Sequence, residues 1–294
     1  MSRTESLIMA HWISKLGWKV IQLVALAILG ALLCATMMRF APGYGVDERE
    51  LDSRYSQASR ESIRSEHHLS DGLFSYYGVY LKGLVHGNFG TSIFLQRPVG
   101  ELLRERAPFT LRTVLFGLVT AWILATALSL LTVRFQSWVL DYSATAVTGM
   151  LIALPAAVVA LGCLYLRAPV FLGIAVIILP KLFRYQHNLF AHAHSQPFVL
   201  AARARGVSPN HILFRHVIPV AWHPLVALLG VSASMAFGAA IPLEAISDSP
   251  GVGQLAWQAA LNRDLPLLTS ITLFVTLLTV GVNVLTGSMR EGQP

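Results

Sequence analysis

Hydrophobic residues in this chain gather into long runs separated by polar segments. The first run, Val20 to Met38, carries no charge and is closed by Arg39. It is about the length an α-helix needs to cross a bilayer. A cleavable leader has a shorter apolar region and a small-residue cleavage site, so the run predicts a retained first span. Five more runs follow: Leu111–Val133, Val139–Leu166, Val170–Phe183, Pro219–Ile241 and Leu267–Val284, of which Val170–Phe183 is short. The pattern predicts an all-α, polytopic helical membrane protein with about six transmembrane helices.

The polar segments orient these spans. Arg3, Lys15 and Lys19 precede the first run and place the N-terminus in the cytoplasm. Residues 41–109 are rich in Ser, Arg, Glu and His and form a periplasmic excursion long enough to escape the positive-inside bias. Within it, Asp47 to Asp71 reads as one or two exposed helices or as partly disordered chain. The connection around Arg134 is then cytoplasmic and the turn at Arg167 periplasmic. Residues 184–218 are cytoplasmic, with Arg184, Arg203, Arg205 and Arg215 and no Asp or Glu. The segment 242–266 holds Glu244, Asp248 and Asp264 against Arg263 and falls outside, while Arg290 returns the C-terminus to the cytoplasm. The expected organisation is a tail and first helix (1–40), a periplasmic segment (41–109), a transmembrane domain (110–288) with a cytoplasmic loop (184–218), and a short tail (289–294).

Composition agrees with the pattern. The chain of 294 residues is 54% hydrophobic and 13% charged, against about 25% charged in soluble domains. Its formal net charge of +7 lies largely beside apolar runs, which fits a membrane face and anionic lipid rather than nucleic acid. The two cysteines, Cys34 and Cys163, both sit inside apolar runs, and no C-x-x-C pair marks a zinc site. Small residues such as Ala121, Ala125, Gly149, Gly230, Ser232, Ser234 and Gly238 allow close helix approach. Pro155 interrupts the third run and predicts a kink, serving either packing or a transport pathway.

The richest stretch is Phe198 to Pro219. Phe198 to Arg205 predicts a short helix of good helix formers. Gly206 is placed to end it in a left-handed conformation. Ser208 stands at the next N-cap, with Pro209 at the first helical position. A small-residue helix held outside the membrane, with Ala201, Ala202, Ala204 and two arginines, suits a partner's groove. The same residues also suit a loop held against anionic lipid. His187, His192 and His194 admit a metal reading, but interfacial histidines are the expected one, so the predicted metal set is none. Asp141 reads as a solvated residue at a span end. No nucleophile–base pattern predicts a catalytic residue, and no G-x-x-x-x-G-K-[ST] sequence occurs.

Three blocks resemble one family. Ala202-Arg203-Ala204-Arg205-Gly206-Val207-Ser208, followed by Arg215-His216 and Pro219, is similar to the cytoplasmic loop of binding-protein-dependent ABC importer permeases, in its dipeptide, oligopeptide and nickel permease version. Pro250-Gly251-Val252-Gly253, Ala259-Ala260, Asn262-Arg263-Asp264 and Pro266, with Glu244 ahead of them, resemble that family's block before the last span. Gly87 to Ser92, Arg97-Pro98-Val99 and Arg106 to Leu111 resemble the segment leading into its second span. The resemblance runs from about Tyr77 to Leu268, with an echo at Arg39 to Gly43. Departures are Tyr44-Gly45 in place of Asp-Pro after Pro42-Gly43, Val217 to Val220 in place of Arg-Asn-Ala-Leu after His216, a short turn at Leu166–Pro169, and a tail without Asp-Pro-Arg.

The resemblance implies a type I ABC importer permease fold. It implies that Ala201, Ala202, Arg203, Ala204, Arg205, Gly206 and Ser208 couple to an ATPase subunit, and that Glu244, Pro250, Gly251, Gly253, Arg263 and Asp264 form a periplasmic gate block. Expected partners are ABC ATPase subunits, a second permease subunit (homologous or identical), a periplasmic solute-binding protein and membrane lipid, with no nucleic acid. No cofactor is expected in this chain; ATP and magnesium belong to the partner. The chain is then no enzyme but an inner-membrane permease for peptides, nickel or another small solute. The rival readings are a membrane scaffold or sensor subunit that kept the fold without transport, and a proton-driven transporter, which the lack of acids deep in the spans disfavours.

Overall fold

The computed structural model describes residues 21–22, 24–37, 40, 78, 80–84 and 86–291. The expectations for the segment from Asp47 to Asp71, for the block at 41–43 and for the extreme tails lie outside these residues. Among the described residues the fold is helical apart from one isolated bridge between Thr91 and Pro98.

The first apolar helix, α1, runs Val24–Met37, and the flanks of its predicted span lie partly outside the described residues. Helix α2 (Val99–Phe135) has 37 residues. It begins well before the predicted Leu111, because Glu101, Leu102, Leu103, Arg104 and Glu105 are good helix formers despite their charge. The third predicted span is two helices, α3 (Trp138–Ala153) and α4 (Ala156–Tyr165), bent by 93° at the break. The cause is local. Pro155 is extended, with φ −61° and ψ 142°, and it holds the residue before it, Leu154, in the β region. Ten residues make α4 about 15 Å long, too short to cross alone. The predicted kink is therefore a full break.

Helix α5 (Val170–His194) has 25 residues. The sequence expectation stopped at Phe183 because Arg184 ends the apolar run. The helix instead continues along one stripe, Ile174, Ile178, Leu182, Gln186 and Phe190, all buried at i, i+4 spacing. Residues 184–194 thus continue the helix rather than form irregular loop. Helix α6 (Pro197–Ala204) and α7 (Pro209–Ile212) follow. A π-helical turn, Leu213–Val217, joins α7 without interruption to α8 (Ile218–Ile246). Helix α9 (Val252–Leu261) and α10 (Leu265–Glu291) complete the chain. Among the described residues four stretches are long and apolar enough to cross a membrane: α2, α5, Pro209–Ile246 and α10 over Leu265–Thr286. The α3–α4 pair makes up to five.

The chain divides into two compact units, one drawn from the chain before Pro108 and Leu255–Leu278, the other from Pro108–Gln254 and the chain from Thr279. In the first, Ala27, Ala31 and Leu273 form a small core with Ile28, Leu84, Phe89 and Leu277. Thr272 Oγ1 donates to Cys34 Sγ at 3.4 Å, so this half-buried thiol lies against α10. In the second unit the α5 stripe packs tightly. A Cβ on Gly173 would stand 2.9 Å from Cys163 Sγ, so the helices meet where only glycine fits. Polar ties cross between spans: Trp122 Nε1 donates to Ser232 Oγ at 3.0 Å, Thr126 Oγ1 to Gln186 Oε1 at 3.1 Å, and Asn283 Nδ2 to Ser234 Oγ at 2.8 Å. Such bonds are needed where lipid offers buried polar groups no partner.

Candidate functional site

The loop between α5 and α8 is built from its caps. Pro197 begins α6, one residue before the expected Phe198. At its far end Gly206 has φ +78°. The Gly206 amide donates to the Arg203 carbonyl at 2.9 Å and the Val207 amide to the Ala202 carbonyl at 3.2 Å. This pair of bonds is the Schellman closure, which needs a left-handed residue at the glycine position. Ser208 holds the N-cap backbone conformation and Pro209 the first turn of α7, but the Ser208 side chain makes no capping hydrogen bond.

The predicted coupling residues do not all face outward. Ala202 is buried with Val199 against the protein's own interior. Arg203 folds back onto His194 Nε2 and donates to Gln136 Oε1 at 3.3 Å, so it is engaged within the chain. The displayed face is Ala201, Ala204, Arg205 and Leu200, the last 72% exposed. The sequence reading missed Leu200, an apolar residue unusual at a solvated helix surface.

Polar contacts tie this loop to the ends of the spans. Arg134 Nε donates to Asn210 Oδ1 at 2.7 Å. His187 bonds Thr132 Oγ1 through Nδ1 at 3.0 Å and lies 3.3 Å from Asp141 through Nε2. Asp141 is half-exposed, and its tie to His187 was not foreseen. Thr132, Gln136, Asp141, His187, His194 and Arg203 line one cavity of about 570 Å³ behind α6. Among the described residues no three His, Cys, Asp or Glu side chains are grouped to hold a metal ion.

The second block forms a clasp around Glu244, which is fully buried. Its Oε2 accepts from Thr110 Oγ1 at 3.0 Å and from the Gly253 amide at 2.8 Å, and its Oε1 from Thr113 Oγ1 at 3.3 Å. Thr110 Oγ1 in turn accepts from the Val252 amide at 2.8 Å. The first amides of α9 are thereby satisfied by a carboxyl group and a hydroxyl. A Cβ on Gly251 would overlap the Glu244 carboxylate, and one on Gly253 would stand 2.7 Å from Ile241 Cα. Pro250 is exposed at the turn.

Asp264 organises a separate clasp in the other unit. It is fully buried, accepts from Ser92 Oγ, takes the Phe94 amide at 3.1 Å, and caps α10 by accepting from the Leu267 amide at 3.1 Å. Ser270 Oγ donates to the Phe89 carbonyl at 3.1 Å and lies 3.3 Å from Tyr80 OH, whose phenol burial pushes above its ordinary value. Arg263 is exposed, with φ +52°. Blocks that are distant in sequence thus meet: Gly87–Ser92 with Asp264, and Arg106–Leu111 with Glu244. Ser92, Thr110 and Thr113 had not been singled out as the bonding partners.

Residues 113–291 match the family model for the binding-protein-dependent transport system inner membrane component. This chain belongs to that family. The permease is 27% identical over 283 residues to the oligopeptide transport system permease protein AppB of Bacillus subtilis (strain 168), covering 86% of this chain and 89% of that protein. It is 26% identical over 295 residues to the nickel import system permease protein NikB of Staphylococcus aureus (strain USA300), covering 93% and 88%. It is therefore a multi-pass inner-membrane permease subunit of an ABC importer. In such importers ATP hydrolysis lies in a separate subunit and a solute-binding protein is a partner.

Proposed function

We propose that this permease carries short peptides inward by alternating access, driven through the loop at α6. The carrying observation is the Schellman-closed α6, which displays Leu200, Ala201, Ala204 and Arg205 around a left-handed Gly206. A rigid, short helix with an apolar tip and a cation, Arg205, that has no ion-pair partner among the described residues fits a groove on an ATPase subunit. The ties Arg134–Asn210 and Arg203–Gln136 would pass its displacement to the end of α2, and the tie Arg203–His194 to α5. A partner can bias such a two-state shift only through contacts that differ between the states.

The substrate reading rests on similarity to an oligopeptide permease; similarity to a nickel permease supports nickel as the second reading. The Glu244 and Asp264 clasps are proposed to shape the periplasmic gate, with both termini and the α6–α7 loop cytoplasmic. A second permease subunit, homologous or identical, completes the pathway.

Gly206→Val and Arg205→Glu test the loop. Valine at φ +78° costs about 1–2 kcal/mol of local strain and adds bulk toward the partner. Both variants are expected at normal levels in the membrane, with loss of peptide uptake and of ATPase co-purification. Full uptake and full co-purification in both would overturn the coupling role.

A further inference from the structure

We propose that Lys181 and its neighbours on the exposed face of α5 line the water-filled translocation pathway and hold the carboxylate of a peptide in transit. Lys181 is the one charge in the run Val170–Phe183. It stands inside a candidate span, about 16 Å along α5 from Val170 and about 20 Å from the end at His194. The Ser129 hydroxyl donates to the Phe183 carbonyl at 3.3 Å, so this stretch of α5 runs beside the apolar body of α2, which continues to Arg134. Lys181, Arg184 and Asn188 are exposed, and Tyr185 is 53% exposed. By helical spacing the four share one face, turned away from the buried Leu182, Gln186 and Phe190. Neither cation has an ion-pair partner among the described residues.

A cation at this depth is costly against lipid, and such residues turn instead to a water-filled cavity or to a group of opposite sign. Lipid phosphates stay at the surface, outside a hydrocarbon core of about 30 Å. A second copy of this chain brings no free acid to the same depth. Among the described spans, Glu244 is closed in its clasp and Asp141 lies beside His187 at the start of α3. No Asp or Glu occurs between Asp141 and Glu244, so this face stays positive. Water and an anionic cargo group match it. An ammonium and a guanidinium offer a carboxylate charge-assisted hydrogen bonds, with the Tyr185 hydroxyl and the Asn188 amide as further donors. The same charge repels a bare divalent cation, so the face favours a peptide over nickel.

The inference rests on the peptide reading for its cargo, but not for the pathway, and the test separates the two. In membrane fragments holding the complete importer, with Cys34 and Cys163 of this chain replaced by serine, Lys181→Cys and Val176→Cys meet a water-soluble anionic methanethiosulfonate. Val176 is also exposed, roughly 140° around α5 from Lys181. Modification is expected about tenfold faster at Lys181→Cys, because a thiol reacts as the thiolate that water stabilises. Equal rates overturn the pathway placement. Cells with this importer as their only route are then offered trialanine, trialanine amide or Ni²⁺. Trialanine uptake is expected to exceed that of the amide. It should fall about tenfold in Lys181→Gln, as the loss of one charge-assisted hydrogen bond implies, and be kept in Lys181→Arg. Membrane levels and ATPase co-purification should match wild type in both variants. Equal uptake of trialanine and its amide, or undiminished trialanine uptake in Lys181→Gln, overturns the carboxylate site and leaves peptide transport standing. A fall in Lys181→Gln that is the same for both peptides makes the lysine a subunit contact and also overturns the site. Uptake of neither peptide by wild type, with or without nickel, overturns the peptide reading and the carboxylate with it.

Discussion

Glu244 shows how a buried carboxyl group is held near the end of a span. Its two oxygens take three donors, and the backbone at Gly251 lies where any side chain would strike them. Glu244→Leu strands the Gly253 amide, and an unsatisfied buried donor costs about 1–3 kcal/mol. Glu244→Gln keeps one acceptor for that amide and should lose less. Gly251→Ala overpacks the clasp, typically at about 1–3 kcal/mol. The thermal midpoint of the purified protein should fall for Leu and for Gly251→Ala, and less for Gln; equal midpoints for Leu and Gln would contradict the bonding described. The acidic residue and its glycines were legible as one block. Thr110, 134 positions away, was not, because no local pattern tells a threonine in a helix which distant carboxylate it meets.

At the scale of elements, caps read well and lengths read poorly. Gly206 announced its left-handed turn, since glycine is the residue such a closure favours. The turn after α4 closes in the same way without glycine: Arg167 has φ +52°, its amide donates to the Leu164 carbonyl at 3.2 Å, and the Ala168 amide donates to Cys163 at 2.8 Å. An arginine there carries no such signal. Arg167→Gly should stabilise the protein by about 1 kcal/mol by removing the left-handed penalty, read as a higher thermal midpoint; an unchanged or lower midpoint would count against that strain. Helix α5 was cut short because Arg184 ended an apolar run, while its buried i, i+4 stripe passed through Gln186. Run length misses a helix whose face stays buried after its flanks turn polar. The break at Pro155 was legible as to place but not as to size, since a proline sets the local backbone and packing sets the angle.

For the whole molecule, the run pattern was enough to expect a membrane-spanning protein, the resemblance of three blocks to importer permeases added the ATPase partner, and the family match bears out the permease. What the runs could not give was the pairing of distant blocks around Asp264 and Glu244, which depends on tertiary contact. The proposed sidedness is open to a direct test. Single cysteines at Arg167 and Ser208, in a chain with Cys34 and Cys163 replaced, should separate on treatment of outer-membrane-permeabilised cells with an impermeant thiol reagent. Labelling at Arg167→Cys and protection at Ser208→Cys are expected; the reverse would invert the topology.

The π turn at Leu213–Val217 carries a geometric consequence for how the loop and α8 are phased. A π turn holds about one residue more than an α turn, and each residue of an α-helix advances the azimuth by about 100°. The face that α7 presents is therefore rotated by roughly that angle from where an uninterrupted helix leading into α8 would point it. Ile212 and Leu213 on one side of the turn, and Val217 and Ala221 on the other, are all buried. The inserted residue is what lets both stretches face inward at once. The azimuth at which the loop leaves the span is thus set by a count of residues: removing one from this turn would swing everything upstream through more than a quarter of a circle while leaving every side chain of α6 intact.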